Sequence, residues 1–221
     1  LRYLPEFLLV TTRFCLVRHG ETDWNALCRI QGNTDIDLNE QGRRQAELAG
    51  RALVGTGITA LYSSDLQRAW STAAIIGRHL ALEPRLEPQL RERDYGFFEG
   101  MTYSDARRLH PEAFARYERR DPLYDFETGE SLQAMLTRVS TVLLRILTAH
   151  AGETVAVVVH GGVLDVAWRF VNDLPLEHQR DFGIPNAGLN WIRHDGQGWQ
   201  VEAWAQTQHL DYSGRQEDIV L

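Results

Sequence analysis

Two apolar stretches of the sequence end in histidine followed by glycine. "FCLVRHG" places His19 directly after Arg18, and "VAVVVHGG" places His160 before a pair of glycines. A lone histidine at a strand end is commonly structural, but two in matching positions predict a functional site. Glycine permits a sharp turn and a close backbone approach to a ligand, and the helix N-terminus that follows offers amides to an anion. Since a neutral imidazole is nucleophilic near pH 7 and an arginine fork matches phosphate oxygens, the pattern predicts a phosphate site.

Length, charge and hydropathy limit the class of protein. With 221 residues, the chain is expected to form one globular domain over residues 1–221. The net charge of −7 argues against a general nucleic-acid-binding surface, which needs a basic face. No run approaches the roughly 18 apolar residues of a membrane span, and the N-terminal apolar core is too short for a secretory signal. We therefore expect a cytoplasmic protein with neither a membrane nor a nucleic-acid partner.

All 23 basic residues are arginine, and the chain contains no lysine. A Walker-type phosphate loop and a Schiff base with pyridoxal phosphate both need a lysine, so both mechanisms are excluded. Cys15 and Cys28 are too few for a disulfide framework and lack the spacing of a zinc site. The sequence therefore predicts neither a metal nor a cofactor.

Strand and helix patterns alternate along the chain. They predict strands over 13–17, 60–65 and 154–160, helices over 40–53, 66–80, 131–150 and 163–171, and a C-terminal hairpin over 188–205. Ser64 or Asp65 is expected to cap the helix that begins at Leu66. This alternation predicts an α/β protein, a three-layer α/β/α sandwich with a mostly parallel central sheet. Ligands of such folds bind beyond the carboxyl ends of the strands, where Arg18, His19 and His160 are expected to lie.

The stretch from Met101 to Asp121 is helical in pattern, but it is polar, rich in arginine and broken by Pro111. It suits an excursion that lies over the body of the domain. We expect residues 94–130 to form a lid that sets substrate specificity.

The sequence resembles the histidine phosphatase superfamily, the phosphoglycerate mutase-like proteins. The resemblance rests on motifs in the family order over nearly the whole chain: "LVRHGETDWN", "QGNTDIDLNEQGRRQA", "LYSSDLQRAWSTA", "LRERDYGFFEGMT", "GESL", "VVVHGGVLD" and "PNAGLNWI". It implies that His19 is the nucleophile that takes the phosphoryl group. It also implies that Arg18, Arg68 and His160 bind the phosphoryl oxygens and that Glu92 is the general acid.

Further site residues follow with less specific motifs. Asn25 and Gln31 match family positions that line the phosphate site, Gly161 follows the second histidine, and Ser131 in "GES" is a candidate ligand contact. Arg107 and Arg108, with Arg119 and Arg120, are candidates for binding a substrate carboxylate, although an arginine-rich helix is most often a solvated face. Arg68 could also be a surface residue, and Glu92 could merely neutralise its two arginine neighbours.

The resemblance implies a metal-independent phosphatase that hydrolyses a small phosphomonoester through a phosphohistidine. Because the segment after Glu92 lacks the lysine-bearing stretch of the mutases, the phosphatase branch is favoured over a cofactor-dependent phosphoglycerate mutase. A binding module without turnover is the third alternative. The physiological substrate and the oligomeric state stay open, with a homodimer among the alternatives. Since the family reaches its first strand within a few residues, Leu1 to Leu9 are expected to be an extension before a start at Val10.

Overall fold

The computed structural model describes residues 10–210 of the chain, so the expected extension of residues 1–9 lies outside the described residues. Its strands are β1 (Thr12–Arg18), β2 (Ile58–Ser63), β3 (Arg85–Leu86), β4 (Thr154–Val159), β5 (Leu189–His194) and β6 (Trp199–Gln206). They form one six-stranded sheet in the order β3-β2-β4-β1-β5-β6. The first four strands in that order run parallel to their neighbours, whereas β5 pairs antiparallel with both β1 and β6. The mostly parallel sheet and its C-terminal hairpin are as the sequence predicted.

Seven α-helices accompany the sheet in the described part of the chain. They are α1 (Asp23–Ala26), α2 (Glu40–Leu53), α3 (Gln67–Leu80), α4 (Tyr103–Leu109), α5 (Pro111–Glu118), α6 (Leu132–Ala149) and α7 (Gly161–Asn172). Helices α2 and α3 pack on one face of the sheet, and α6 and α7 pack on the other. The predicted three-layer α/β/α sandwich is confirmed.

The two faces of the sheet bury separate halves of the core. In β1, Phe14 and Leu16 pack with α6 and α7, whereas Cys15 and Val17 pack with α2 and α3. Strand β4 divides in the same way, and its residues from Val155 onwards are at most 1% exposed. A strand covered on both faces reads as a continuous apolar run, which is why these two strands were visible in the sequence.

The start of α3 differs from the prediction. Its N-cap is Leu66, which has no capping side chain, and the amide of Gln67 donates instead to the Asp35 carboxylate at 2.7 Å. Asp65 is engaged elsewhere, in an ion pair with Arg91. The Ser64 hydroxyl accepts from the Leu66 amide at 3.3 Å, one residue before the helix. The prediction that Ser64 or Asp65 caps this helix was therefore wrong, because a carboxylate from a distant loop accepts from its first amide.

Residues 94–130 pack together around a cluster of aromatic side chains. Pro111 divides the predicted helix into α4 and α5, since proline at the first position starts α5. Phe98, Phe114 and Phe126 are at most 1% exposed in this cluster. The segment therefore has a small core of its own beside the main one. Its movement as a lid stays a prediction.

Helix α6 is long and apolar enough to cross a membrane by length and composition alone. In the structure its apolar stripe, which includes Met135, Val139 and Leu143, is buried in the main core. The helical spacing of these residues is the pattern that predicted a helix over 131–150.

Candidate active site

The two histidines follow neighbouring parallel strands. Arg18 of β1 lies opposite Val159 of β4, and the amide of His19 donates to the Val159 carbonyl at 2.9 Å. His160 follows directly as the N-cap of α7. Because parallel strands end at the same edge of a sheet, the centroids of the two imidazole rings lie 5.2 Å apart.

Hydrogen bonds on both sides fix the backbone of His19. The Asn186 side-chain amide donates to the His19 carbonyl at 2.9 Å, and the Gly20 amide donates to Thr72 Oγ1 at 3.0 Å. Gly20 also packs against Gly42 of α2, where a Cβ on Gly20 would lie 2.3 Å from the Gly42 carbonyl oxygen. The glycine after the histidine is thus required by the close approach of two backbones.

The His19 side chain is buried in an orientation suited to nucleophilic attack. Its Nδ1 lies 2.7 Å from the Gly20 carbonyl oxygen, which can only accept, so Nδ1 carries the proton and Nε2 carries the lone pair. Burial and the charges of Arg68 and Arg18 hold the pKa of His19 well below its ordinary value of 6.5. The imidazole is therefore neutral and nucleophilic at neutral pH.

His160 is fully buried beside His19. Neither of its ring nitrogens has a hydrogen-bond partner among residues 10–210. Its pKa is lowered well below the ordinary value, first by burial and then by the charge of Arg68. A buried polar group without a partner is costly, and the oxygens of a phosphoryl group would supply acceptors and a compensating charge.

Arg18 and Arg68 supply the positive charge of the site. Arg68 is fully buried, and its two terminal nitrogens donate to the carbonyls of Gly32 at 2.6 Å and Thr34 at 2.9 Å. Arg18 donates to the Ile184 carbonyl. The Nε atoms of both arginines are buried and have no hydrogen-bond partner within the described residues.

Burial lowers the pKa of both guanidinium groups, that of Arg68 to about 10. Both groups therefore stay charged at neutral pH. Two fixed cations next to a neutral imidazole are a suitable arrangement for binding a phosphoryl group and for neutralising the charge that develops on its oxygens.

Glu92 is buried at the same pocket, 9% exposed, with both carboxylate oxygens anchored by backbone amides. Oε1 accepts from the amide of Arg93 at 2.8 Å, and Oε2 accepts from the amide of Gly162 at 2.9 Å. A Cβ on Gly162 would lie 2.3 Å from Oε1. The second glycine after His160 thus lets the carboxylate reach the first turn of α7.

Arg18, His19, Arg68 and Glu92 line a pocket of about 380 Å³, its open mouth included, whereas His160 lies fully buried beside His19 and does not line it. The lining contains seven of the residues named above or predicted from the sequence, namely Arg18, His19, Asn25, Gln31, Gly32, Arg68 and Glu92. Asn25 and Gln31 share one neighbour, because the oxygen of each side-chain amide lies 3.0 Å from the Thr22 hydroxyl, which donates its one proton to one of them at a time. Their amide nitrogens are consequently the groups that can donate to an anion.

The pocket wall also contains residues outside the predicted set. Arg29 lies at its exposed rim, and Tyr95 and Tyr103 enter from the predicted lid. Burial raises the pKa of Tyr95 well above its ordinary value, and the neighbouring Tyr117 together with burial does the same for Tyr103. Both phenols therefore keep their protons at neutral pH.

Of the other two residues predicted to contact the ligand, Gly161 lies next to the site and Ser131 does not. A Cβ on Gly161 would lie 3.6 Å from Arg18 Nε, so this glycine borders the site. Ser131 instead caps α6, where its hydroxyl accepts from the Ala134 amide at 3.1 Å, and it does not line the pocket.

The four arginines proposed for a substrate carboxylate are not brought to the pocket. Arg107 and Arg108 are exposed and form ion pairs with Glu118 and Asp105. Arg120 is paired with Asp165, and Arg119 is exposed. The solvated or ion-paired interpretation of this arginine-rich segment is the one the structure supports.

The sequence profile of the histidine phosphatase superfamily, branch 1, matches residues 14–207 of the chain. The chain belongs to this superfamily. The prediction of a phosphomonoesterase from this superfamily is thereby confirmed. Among residues 10–210 of this histidine phosphatase, no three or more histidine, cysteine, aspartate or glutamate side chains group as a metal site.

The similar proteins include both phosphoglycerate mutase-like proteins and phosphatases. This histidine phosphatase is 37% identical to the phosphoglycerate mutase-like protein 4 of Arabidopsis thaliana, over 90% of this chain and 87% of that protein. It is 35% identical to the metal-independent phosphoserine phosphatase of the same plant, over 92% of this chain and 85% of that protein. Among solved structures, the phosphoserine phosphatase of Entamoeba histolytica in complex with 3-phosphoglyceric acid superposes with a TM-score of 0.82 at 27% identity, covering 90% of this chain and 99% of the other.

Proposed function

We propose that this histidine phosphatase hydrolyses a small phosphomonoester that carries a carboxylate, with O-phosphoserine as the first candidate. The observation that carries the proposal is the third cation of the pocket. Arg68 is fully buried and Arg18 half-buried at the phosphoryl end, which leaves the exposed Arg29 at the rim for a second negative group on the substrate. The phosphoserine phosphatases among the relatives support the same class of substrate.

The mostly polar lining of the pocket suits a small polar leaving group. Tyr95 and Tyr103 present phenol groups, and among residues 10–210 the lining has one aliphatic side chain, that of Ile30. A large apolar group would find little surface to bury there, whereas the carboxylate and amine of an amino acid would find charge and hydroxyl partners.

The chemistry proceeds as two displacements at phosphorus. His19 Nε2 attacks the phosphorus atom, the bond from phosphorus to the substrate oxygen breaks, and Glu92 gives its proton to that oxygen. Water then attacks the phosphohistidine, Glu92 as carboxylate takes the proton of the water, and phosphate leaves as the nitrogen–phosphorus bond breaks. Arg18 and Arg68 neutralise the charge on the phosphoryl oxygens in both steps, and His160 donates a hydrogen bond to one of them.

The substrate class is tested by release of inorganic phosphate in the presence of a chelator. O-Phosphoserine is compared with phosphoethanolamine, which lacks only the carboxylate. We expect kcat/KM for phosphoserine to be higher by about tenfold or more, because a charge-assisted pair with arginine is lost in the analogue. Arg29→Gln should remove this preference, and Arg108→Gln, on an exposed arginine away from the pocket, should preserve it. Equal activity of the unmodified protein towards both compounds would contradict the proposal.

The mutase alternative is decided in the same assay. 3-Phosphoglycerate is added with and without its bisphosphorylated cofactor, and both phosphate and 2-phosphoglycerate are measured. Cofactor-dependent conversion with little phosphate released would identify a mutase. We expect phosphate release that does not depend on the cofactor.

A further inference from the structure

The guanidinium group of Arg138, in α6, connects two segments next to Glu92. It forms a two-pronged ion pair with the Glu130 carboxylate, with Nε to Oε1 at 2.6 Å and the second terminal nitrogen to Oε2 at 2.7 Å. The same group donates to the Gln89 carbonyl at 2.7 Å and to the Glu92 carbonyl at 3.2 Å. One arginine thus binds the backbone on the N-terminal side of Glu92 and at Glu92 itself.

The backbone of Glu130 bonds the residues that follow Glu92. Its amide donates to the Asp94 carbonyl at 2.9 Å, and its carbonyl accepts from Arg93 Nε at 2.8 Å. The backbone from Gln89 to Asp94 is therefore attached to α6 and to the end of the predicted lid through the Arg138–Glu130 pair. Both side chains of the pair are 19% exposed, so solvent screens the pair less than a surface ion pair.

The position of that backbone sets the position of the Glu92 carboxylate. One carboxylate oxygen bonds the next amide of the same segment, and the other reaches the first turn of α7. A shift of the segment would break the bond to Gly162 and move the carboxylate away from the substrate oxygen. Misplacement of a catalytic group by about 1 Å can lower the rate by two orders of magnitude.

We propose that Arg138 is a positioning residue for proton transfer: it holds the segment that carries Glu92 so that its carboxylic acid reaches the leaving oxygen. Arg138 does not line the pocket and acts through Glu92. The inference rests on the role of Glu92 in the proposed function. An arginine that only stabilised the fold would leave the dependence of the rate on the leaving group unchanged.

The test compares a poor with a good leaving group. For Arg138→Gln we expect kcat/KM to fall by about tenfold or more for O-phosphoserine, whose alkoxide must be protonated, but by less than about twofold for p-nitrophenyl phosphate. Arg145→Gln is the matched control. Arg145 lies on the same helix and pairs with Glu87, which caps the short helical turn Pro88–Leu90 before Glu92, but it does not bond Glu92. It should leave both rates near those of the unmodified protein.

Should Arg138→Gln fail to fold, Arg138→Lys is measured, since lysine keeps the charge but cannot hold two carbonyls and a forked carboxylate together. It should show the same selective loss. Equal losses for both substrates, or no loss, would overturn the proposal. Glu92→Gln distinguishes a failure of the acid role of Glu92 from a failure of the positioning role of Arg138. If it slows both substrates equally, the role of Glu92 as acid fails, whereas a selective effect in Glu92→Gln without one at Arg138 refutes only the positioning role.

Discussion

The imidazole rings of His19 and His160 lie side by side at the ends of adjacent parallel strands, with 5.2 Å between their centroids. Burial and the charges of two arginines lower the pKa of both rings. The site is therefore rich in fixed positive charge from arginine, while its two histidines are neutral. A neutral nucleophile that is surrounded by permanent cations suits a doubly negative substrate.

The low pKa of His19 predicts activity into the acid range. Protonation of His19 abolishes its lone pair, so the acid limb of kcat/KM that belongs to this residue should lie below pH 6.5. Arg68→Gln removes a cation that disfavours the protonated ring, which should raise the pKa of His19 and move that limb to higher pH. The profiles are measured on one substrate, so that its own ionisation cancels in the comparison. An acid limb that stays in place would show that Arg68 does not set the pKa of His19.

Gly162→Ala should reduce activity while the fold is retained. The added Cβ would lie 2.3 Å from Glu92 Oε1, so the carboxylate has to move. We expect kcat/KM for phosphoserine to fall by about tenfold or more, because proton transfer depends on the position of the acid. Alanine is the better helix former by up to about 1 kcal/mol, so the melting temperature should change little. Gly198→Ala, which meets nothing within 4 Å, is the control. Full activity of Gly162→Ala would contradict the placement of Glu92.

Arg68→Lys should lower kcat/KM by about two orders of magnitude or more, as expected for the loss of a fixed charge at the phosphoryl oxygens. A lysine ammonium cannot bond the Gly32 and Thr34 carbonyls and still present a fork to phosphate. The comparison is made with Arg78→Lys on the same helix, whose arginine is exposed and paired with Glu47. Similar activity of the two variants would argue against phosphate binding by Arg68.

The two neutral histidines predict acid destabilisation of the fold. Their pKa values are lower in the folded than in the unfolded chain, so the unfolded chain binds more protons below pH 6.5. The free energy of unfolding should fall as the pH drops below that value, by up to about 1.4 kcal/mol per pH unit for each histidine. In urea unfolding between pH 6.5 and 5.5, His19→Gln should show a shallower dependence than the unmodified protein. Equal slopes would mean that His19 is not buried in its neutral form.

Local sequence patterns were sufficient to predict much of the fold and the two histidine–glycine turns of the candidate site. Strands β1 and β4 are covered on both faces and so appear as apolar runs, and the glycines after His19 and His160 are required by close contacts. Glu92 and Arg68 carried no such local signal, since a glutamate between arginines and an arginine in a helix are commonly surface residues. Their selection depended on the family motifs around them.

Contacts between distant segments were beyond the sequence. The cap of α3 comes from Asp35, and the pocket arginine at the rim is Arg29, whereas the arginine-rich helix suggested Arg107 and Arg108. Composition showed where arginine is abundant, but the partners of each guanidinium depend on tertiary packing. Arg138 went unselected for the same reason, since its partners lie up to 49 positions away in the chain.

Trapping of the phosphohistidine tests the central claim most directly. The protein is mixed with substrate labelled on its phosphoryl group, quenched within milliseconds in alkali, digested and mapped. We predict label on the peptide that contains His19, stable in alkali and lost in acid, and neither label nor turnover in His19→Ala. Turnover by a folded His19→Ala variant, or label on another residue of the unmodified protein, would contradict the mechanism.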